Sequence, residues 1–156
     1  YMDLDFSYLP CNGSPNVQRM IDKFHPKPNQ LMIALFDNDG AGWSSYNGIL
    51  GLCNEGKTKV SCAQKKDDIW LAIIPALKGK KGNFNIEDYF HRNVLLKFVM
   101  SFRTLNDIVE KNGLKPKLAE MCRKNELPDN KFSKFSKLFD FIEEIKHAEL
   151  EGKEII

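Results

Sequence analysis

The chain has 156 residues, of which 42% are hydrophobic and 28% are charged, with a formal charge of +2. A chain of this length can bury a hydrophobic core without stabilisation by disulfides or metal ions. Its near-neutral charge neither demands nor excludes a polyanionic partner. No apolar run approaches the length of a bilayer span, so we expect no membrane partner. The four cysteines contain no CxxC pair, which predicts free thiols in a reducing, cytoplasmic compartment.

The N-terminal half of the chain predicts alternating strands and helices. Strands are expected over 3–10, 31–36 and 69–75, the last two as buried, continuous apolar runs. One helix is expected after Ser14, the predicted N-cap, and a second just past residue 39. The polar, Lys-rich stretch 54–67 predicts an exposed loop or a small hairpin. Short connections between alternating elements imply right-handed crossovers and a parallel sheet.

The C-terminal half predicts helices only. They are expected roughly over 91–103, after Thr104, from Pro116 through Cys122, and over 131–149. We therefore expect an α/β fold in which a parallel sheet of at least three strands is sandwiched by helices, followed by an all-helical extension over 91–156. The last predicted helix carries one apolar stripe, typical of core packing, formed by Phe132, Phe135, Leu138, Phe139, Ile142 and Ile145.

Two aspartates one residue apart follow the second predicted strand. Asp37 and Asp39 come directly after the run LMIALF, and glycines stand at positions 40 and 42. Ligands of parallel α/β sheets bind at the carboxyl ends of strands, and alternation along an extended segment points both carboxylates to one side. Two close carboxylates repel unless a cation lies between them, and hard oxygen ligands suit Mg²⁺ or Mn²⁺. The pair therefore predicts a divalent-metal site.

The aspartate pair has two other interpretations. A capped turn, in which one aspartate is the N-cap of the following helix, explains one residue of the pair but not both. An EF-hand calcium loop requires an acidic residue eleven positions after the first ligand, where this chain has Gly48, so it is set aside. A metal-dependent phosphoryl-transfer site accounts for both aspartates.

The sequence around the pair resembles a known family. DNDGAG at 37–42 resembles the DxDxxG motif of Toprim domains, the metal-binding module of topoisomerases, primases and several nucleases. LPCNGSPNVQRMIDKF before the motif, IWLAIIP and NIEDYF after it, and the closing KLAEMCRKNELPDNKFSKFSKLFDFIEEI look like Toprim nucleases of the OLD (overcoming lysogenisation defect) family and related bacterial phage-defence proteins. The resemblance covers most of the chain and implies a Toprim-like core over 1–90.

The resemblance implies a nuclease that cleaves DNA phosphodiester bonds with Mg²⁺ or Mn²⁺. Asp37 and Asp39 would be catalytic metal ligands. Glu87, in the IEDYF segment, is the candidate for a third catalytic residue and metal ligand, and Asp88 is a further candidate ligand. The alternative for this segment is a helix N-terminus, where the helix dipole favours acidic residues.

One residue of the family has no counterpart here. The family's glutamate lies at the end of the first strand of its domain, whereas this chain has no Glu before Glu55. Because the chain begins with Tyr1, we expect a C-terminal piece of a longer protein, with the first Toprim strand and an ATPase or other domain upstream. One alternative is a degenerate Toprim-like interaction module that does not cut. A haloacid-dehalogenase-like phosphatase is a more distant alternative, because its DxDGT motif has Thr where this chain has Ala41.

A basic loop follows the third predicted strand. Lys78, Lys80 and Lys81 alternate with Gly79 and Gly82, on the side of the sheet where the metal site is expected. Such lysines would neutralise DNA phosphates and position a strand without reading its bases. The alternative is a solvated surface loop without a ligand.

Overall fold

The computed structural model describes residues 9, 11, 13–52, 61–79, 83–91, 93–95, 114–124 and 126–155. The chain divides into two compact units, Tyr1–Asn85 with Lys137–Ile156, and Ile86–Ser136. The mixed α/β class predicted from the sequence is confirmed. In chain order the elements are α1 (Ser14–Ile21), β1 (Met32–Phe36), α2 (Gly40–Leu50), β2 (Ala63–Lys66), β3 (Ile69–Ile73), a first 3₁₀ helix (Ile86–Tyr89), α3 (Leu114–Arg123), a second 3₁₀ helix (Asp129–Phe135) and α4 (Ser136–Glu151).

The sheet of the first unit is mixed. Its described strands lie in the order β1-β3-β2, and β1 runs parallel to β3 from the pair Met32–Ile69 to the pair Phe36–Ile73. The parallel pairing predicted for the strands near 31–36 and 69–75 is confirmed by β1 and β3, and β2, a strand that we did not include in the parallel sheet, pairs antiparallel with β3. Only the two-residue turn 67–68 connects them, and a parallel crossover needs a dozen or more residues. β2 and β3 thus form a hairpin, whereas the loop or hairpin predicted over 54–67 lies partly outside the described residues, and the strand predicted over 3–10 lies almost entirely outside them.

Helices cover both faces of this sheet. All five residues of β3 are buried, which explains why its sequence is continuously apolar. Alternate residues of the strand belong to two separate clusters because successive side chains point to opposite faces. One cluster contains residues of α1, α2 and the sheet, namely Val17, Phe36, Tyr46, Ile49, Ile69, Leu71 and Ile73. The other joins the sheet to α4 through Ala63, Trp70, Ala72, Phe141, Ile145 and Ala148.

Glycines with positive φ lie at the start of α1 and at the end of α2. α1 begins at Ser14 itself, so the N-cap is Gly13, with φ 111°, and not Ser14 as we predicted. α2 begins at Gly40, as predicted, and ends before Gly51. Gly51 has φ 71°, the left-handed conformation that glycine adopts without a steric penalty at a helix C-terminus.

The predicted helix over 131–149 is divided between two helix types. A 3₁₀ helix extends through Phe135, and α4 starts at Ser136. The predicted single stripe is therefore wrong, because the helix type changes the spacing at which residues share a face. The residues that α4 buries are Leu138, Phe141, Ile145 and Ala148. The domain boundary that we placed after residue 90 stays a prediction.

Polar contacts also attach α4 to the sheet. Both carboxylate oxygens of Glu149 accept hydrogen bonds, one from Lys65 Nζ and the other from the indole Nε1 of Trp70, each at 2.8 Å. These two hydrogen bonds lower the pKa of Glu149, the bond from Lys65 having the larger effect. Trp70 is 3% exposed, so Glu149 satisfies an N–H group that water does not reach.

The second unit has an aromatic core of its own. Phe90, Val94 and Leu118 are buried there, with Phe132 and Phe135 packed against them. The predicted helices over 91–103 and after Thr104 lie largely outside the described residues. In the part of the chain that the structure describes, no helix is long and apolar enough to cross a membrane.

Candidate metal and phosphate site

The predicted aspartate pair lies at the carboxyl edge of the sheet. Asp37, Asn38 and Asp39 form the whole connection between β1 and α2, and both aspartates are half-buried. The backbone N–H of Ile74 donates to the Phe36 carbonyl at 3.0 Å. The ends of the two parallel strands are thus held side by side, at the edge where ligands of such sheets bind.

Asp39 is the N-cap of α2. Its Oδ1 accepts a hydrogen bond from Gly42 N at 2.7 Å, and its carbonyl accepts from Trp43 N at 3.0 Å. Its φ of −135° and ψ of 177° are extended, as is usual for a capping residue. The capped-turn interpretation is therefore confirmed for this residue. The Asp39 carboxylate can still accept further bonds, because its two oxygens offer about four lone-pair sites.

Gly42 allows the first turn of α2 to pack directly on Asp37. A Cβ atom at position 42 would lie 1.9 Å from the Asp37 carbonyl oxygen and 3.0 Å from its carbonyl carbon. Gly40 has no such restriction, since nothing lies within 4 Å of a Cβ added there. Of the two glycines in the motif, the second is the one that the packing requires.

Asn38 joins three elements at this edge of the sheet. Its side-chain Nδ2 donates to the Ile74 carbonyl at 3.2 Å, and its Oδ1 accepts from Trp43 Nε1 at 3.0 Å. Its backbone pairs in both directions with Phe84, at 2.8 and 2.9 Å. The sequence pattern did not indicate these partners, two of which, Ile74 and Phe84, are distant in sequence. These bonds fix the backbone between the two aspartates.

The aromatic residues of α2 support this arrangement. The Trp43 ring packs edge-on against Tyr46, with 5.6 Å between the ring centroids. Tyr46 is fully buried and donates its hydroxyl to the Ser61 carbonyl at 2.8 Å. Burial raises the pKa of Tyr46, with a smaller contribution from Cys62, so its phenol remains a donor at neutral pH. Trp43 therefore presents its indole N–H to Asn38 from a fixed position.

The basic loop starts and ends beside Asn38. The chain leaves β3 through Ile74, whose carbonyl accepts from Asn38, and returns at Phe84, which pairs with the Asn38 backbone. The residues on either side of the segment 75–83 are consequently hydrogen-bonded to Asn38, which lies between Asp37 and Asp39. Ile74 and Phe84 therefore lie at the edge of the sheet that carries the aspartate pair, and the predicted role of the basic loop stays a prediction.

Two described lysines accompany this segment. Lys78 is exposed, and Gly79 after it has φ 84°, a conformation that favours glycine. Lys137 of α4 donates its Nζ to the Ala76 carbonyl, a contact that the sequence did not indicate because α4 follows far along the chain. Lys80 and Lys81 lie outside the described residues.

Glu87 and Asp88 belong to the second unit. They lie in the first turn of the 3₁₀ helix Ile86–Tyr89, where acidic residues are favoured, and both are half-buried. Their predicted participation with the aspartate pair stays a prediction. Within the described residues, no three His, Cys, Asp or Glu side chains are grouped so as to hold a metal ion.

The chemistry of the aspartate pair fits Mg²⁺ or Mn²⁺. Mg²⁺ is usually held by one or two carboxylates together with water and substrate phosphates, and it does not need a complete cage of protein ligands. Asp37 and Asp39 provide two carboxylates on a backbone that Asn38 and Gly42 keep in place. Because Asp39 Oδ1 is occupied by the cap, the other oxygen of that carboxylate is the one suited to a metal.

Comparisons with protein-family models, curated proteins and solved structures find no match for this chain. The likeness to Toprim nucleases therefore rests on the sequence motifs alone. The contacts around Asp37, Asn38 and Asp39 stand independently of that likeness, and they define the candidate site.

Proposed function

We propose that this chain is the metal-dependent nuclease domain of a Toprim-type protein resembling the OLD family, and that it cleaves DNA phosphodiester bonds. One observation carries the proposal: Ile74 and Phe84, the residues on either side of the lysine-containing segment 75–83, are both hydrogen-bonded to Asn38, which lies between the two aspartates. A carboxylate pair and a basic loop at one edge of a sheet are the two components that cleavage of a polyanion needs.

Different residues would bind the metal ion, bind the DNA and fix the backbone of the site. Asp37 and Asp39 would hold Mg²⁺ or Mn²⁺, and the ion, when bound, would offset charge on the scissile phosphodiester. Lys78 and Lys137 would bind backbone phosphates, in contacts that carry no sequence information. Asn38 keeps the two aspartates at a constant separation by tying their shared backbone to β3 and α2.

A second candidate function is a Toprim-like interaction module that does not cleave DNA. The observation that favours it is the N-cap bond of Asp39 to Gly42, since that bond gives Asp39 a structural role without any metal. In this case Asp37 and Asp39 would contribute to folding alone. The nuclease function requires the negative charges of the two aspartates, whereas the interaction module requires only side chains of the same shape.

Nicking of supercoiled plasmid in the presence of Mn²⁺ tests the proposal. The purified chain is compared with Asp37→Asn and Asp39→Asn, which remove a charge and change shape very little. Asn is as good an N-cap as Asp, so Asp39→Asn should keep the capping bond. We expect nicking by the original chain and its loss in both variants.

Asp67→Asn is the matched control. Asp67 lies in the exposed turn between β2 and β3 with φ 53°, and Asn tolerates this left-handed conformation well. This variant loses the same charge far from the candidate site and should nick plasmid at the original rate. Absence of both nicking and Mn²⁺ binding in the original chain would favour the interaction module, and nicking that survives in both site variants would refute the proposed catalytic role.

A further inference from the structure

The second unit brings together a serine and a histidine that are distant in sequence. His91 Nε2 lies 3.0 Å from Ser133 Oγ. This is within the distance at which an unprotonated imidazole nitrogen accepts the proton of a hydroxyl group and activates it as a nucleophile. Ser133 is exposed and His91 half-buried, so a substrate can reach the hydroxyl.

The distance between the two side chains is fixed by contacts other than their own hydrogen bond. His91 follows Phe90 and Ser133 follows Phe132, and those two rings pack edge-on with centroids 5.7 Å apart. Phe90 also packs against Phe135, at 5.0 Å. These ring contacts position the two backbones, and the serine and histidine are consequently preorganised.

Backbone hydrogen bonds hold each residue locally. The His91 carbonyl accepts from Val94 N at 2.8 Å, and the Ser133 carbonyl accepts from the N–H of Ser136. Lys134 connects the two segments, because its Nζ donates to the Phe90 carbonyl at 3.4 Å.

We propose that Ser133 and His91 form a nucleophile–base pair that hydrolyses carboxylic esters with apolar acyl groups. The aromatic residues beside the pair, Phe90, Phe132 and Phe135, favour an apolar acyl group over a charged one. This activity is separate from the proposed nuclease function and involves none of its residues.

The reaction follows from the two side chains. Ser133 Oγ bonds to the ester carbonyl carbon while His91 Nε2 takes the hydroxyl proton, and the carbon–oxygen bond to the alcohol then breaks as the alcohol leaves with that proton. Water next attacks the acyl-serine and gives a proton to His91, which returns it to Ser133 Oγ. The carboxylic acid is released and both side chains are restored.

An alkyl fluorophosphonate tests the pair directly, because it transfers its phosphonyl group to a nucleophilic serine with loss of fluoride. The folded chain is treated with the reagent, and the adduct is located by mass spectrometry of peptides. We expect modification of Ser133, none at that site in Ser133→Ala, and labelling about 100-fold slower in His91→Gln. Gln keeps a hydrogen-bonding group but cannot act as the base, so a purely structural role of His91 would be rescued.

Ser136→Ala is the matched control, since it removes a nearby serine hydroxyl and leaves the backbone N–H in place. It should be labelled at Ser133 at the original rate, with circular dichroism showing that every variant is folded. No adduct at Ser133, or equal labelling of His91→Gln and the original chain, would overturn the proposal. With p-nitrophenyl esters, octanoate should react faster than acetate, and equal rates would overturn the preference for apolar acyl groups.

Discussion

Replacing Gly42 by alanine should destabilise the fold through the candidate site. Ala normally stabilises a helix interior by up to about 1 kcal/mol relative to Gly. At this position, however, the added Cβ would lie 1.9 Å from the Asp37 carbonyl oxygen, a backbone atom that cannot rotate away. Overpacking of this kind costs about 1–3 kcal/mol, so the clash should exceed the helix-propensity gain. We expect a net loss of free energy of unfolding.

Gly48→Ala in the same helix is the matched control. Gly48 is exposed, and nothing lies within 4 Å of a Cβ added there, so only the helix-propensity gain should remain. Urea unfolding monitored by circular dichroism should show Gly48→Ala at or above the original stability and Gly42→Ala below it. The two variants should differ by about 1–3 kcal/mol, the cost of the clash, because the helix-propensity gain is common to both. Equal midpoints for both would refute the close packing of α2 on Asp37.

Substitutions at three further positions test the contacts around the sheet. Asp39→Ala should lower the free energy of unfolding by about 0.5–2 kcal/mol, whereas Asp39→Asn should leave it nearly unchanged in urea unfolding, because Asn also caps helices; equal losses would contradict the cap. Asn38→Ala should cost about 1–3 kcal/mol by leaving the indole N–H of Trp43 unpaired, and a neutral effect on the thermal midpoint would contradict this. Glu149→Ala should cost a similar amount, while Glu149→Gln retains an acceptor for Trp70 and should cost less. Because the pKa of Glu149 is lowered, the contribution of its charge is complete above pH 4.5 and is lost as pH falls through the lowered pKa. Glu149→Gln should therefore weaken the acid-side loss of stability in melts between pH 6 and 3, and an unchanged acid slope would contradict that assignment.

Sequence patterns predicted the parts of the fold that depend on local signals. The run LMIALF and the aspartate after it gave the end of β1 and the start of α2, because strand hydrophobicity and N-capping are both local. The buried strand near residue 70 was equally evident from its composition. In these cases the residues that decide the structure are neighbours along the chain.

The features that the sequence did not predict depend on contacts between distant residues. The role of Asn38 was missed, although it binds Ile74, Trp43 and Phe84, because no spacing rule relates those positions. The pairing of His91 with Ser133 was missed for the same reason. Both sites are determined by how the elements pack, and periodicity along one element contains no information about its partners in another.

Binding of Mn²⁺ to the original chain and to Asp39→Asn is the decisive test of whether the aspartate pair is a metal site. This substitution keeps the N-cap, so a change in affinity reports the loss of a ligand charge and not a loss of folding. We expect electron paramagnetic resonance titration to show binding by the original chain and by Asp67→Asn, and at least about tenfold weaker binding by Asp39→Asn. Equal Mn²⁺ affinity in all three proteins would contradict the proposed metal site.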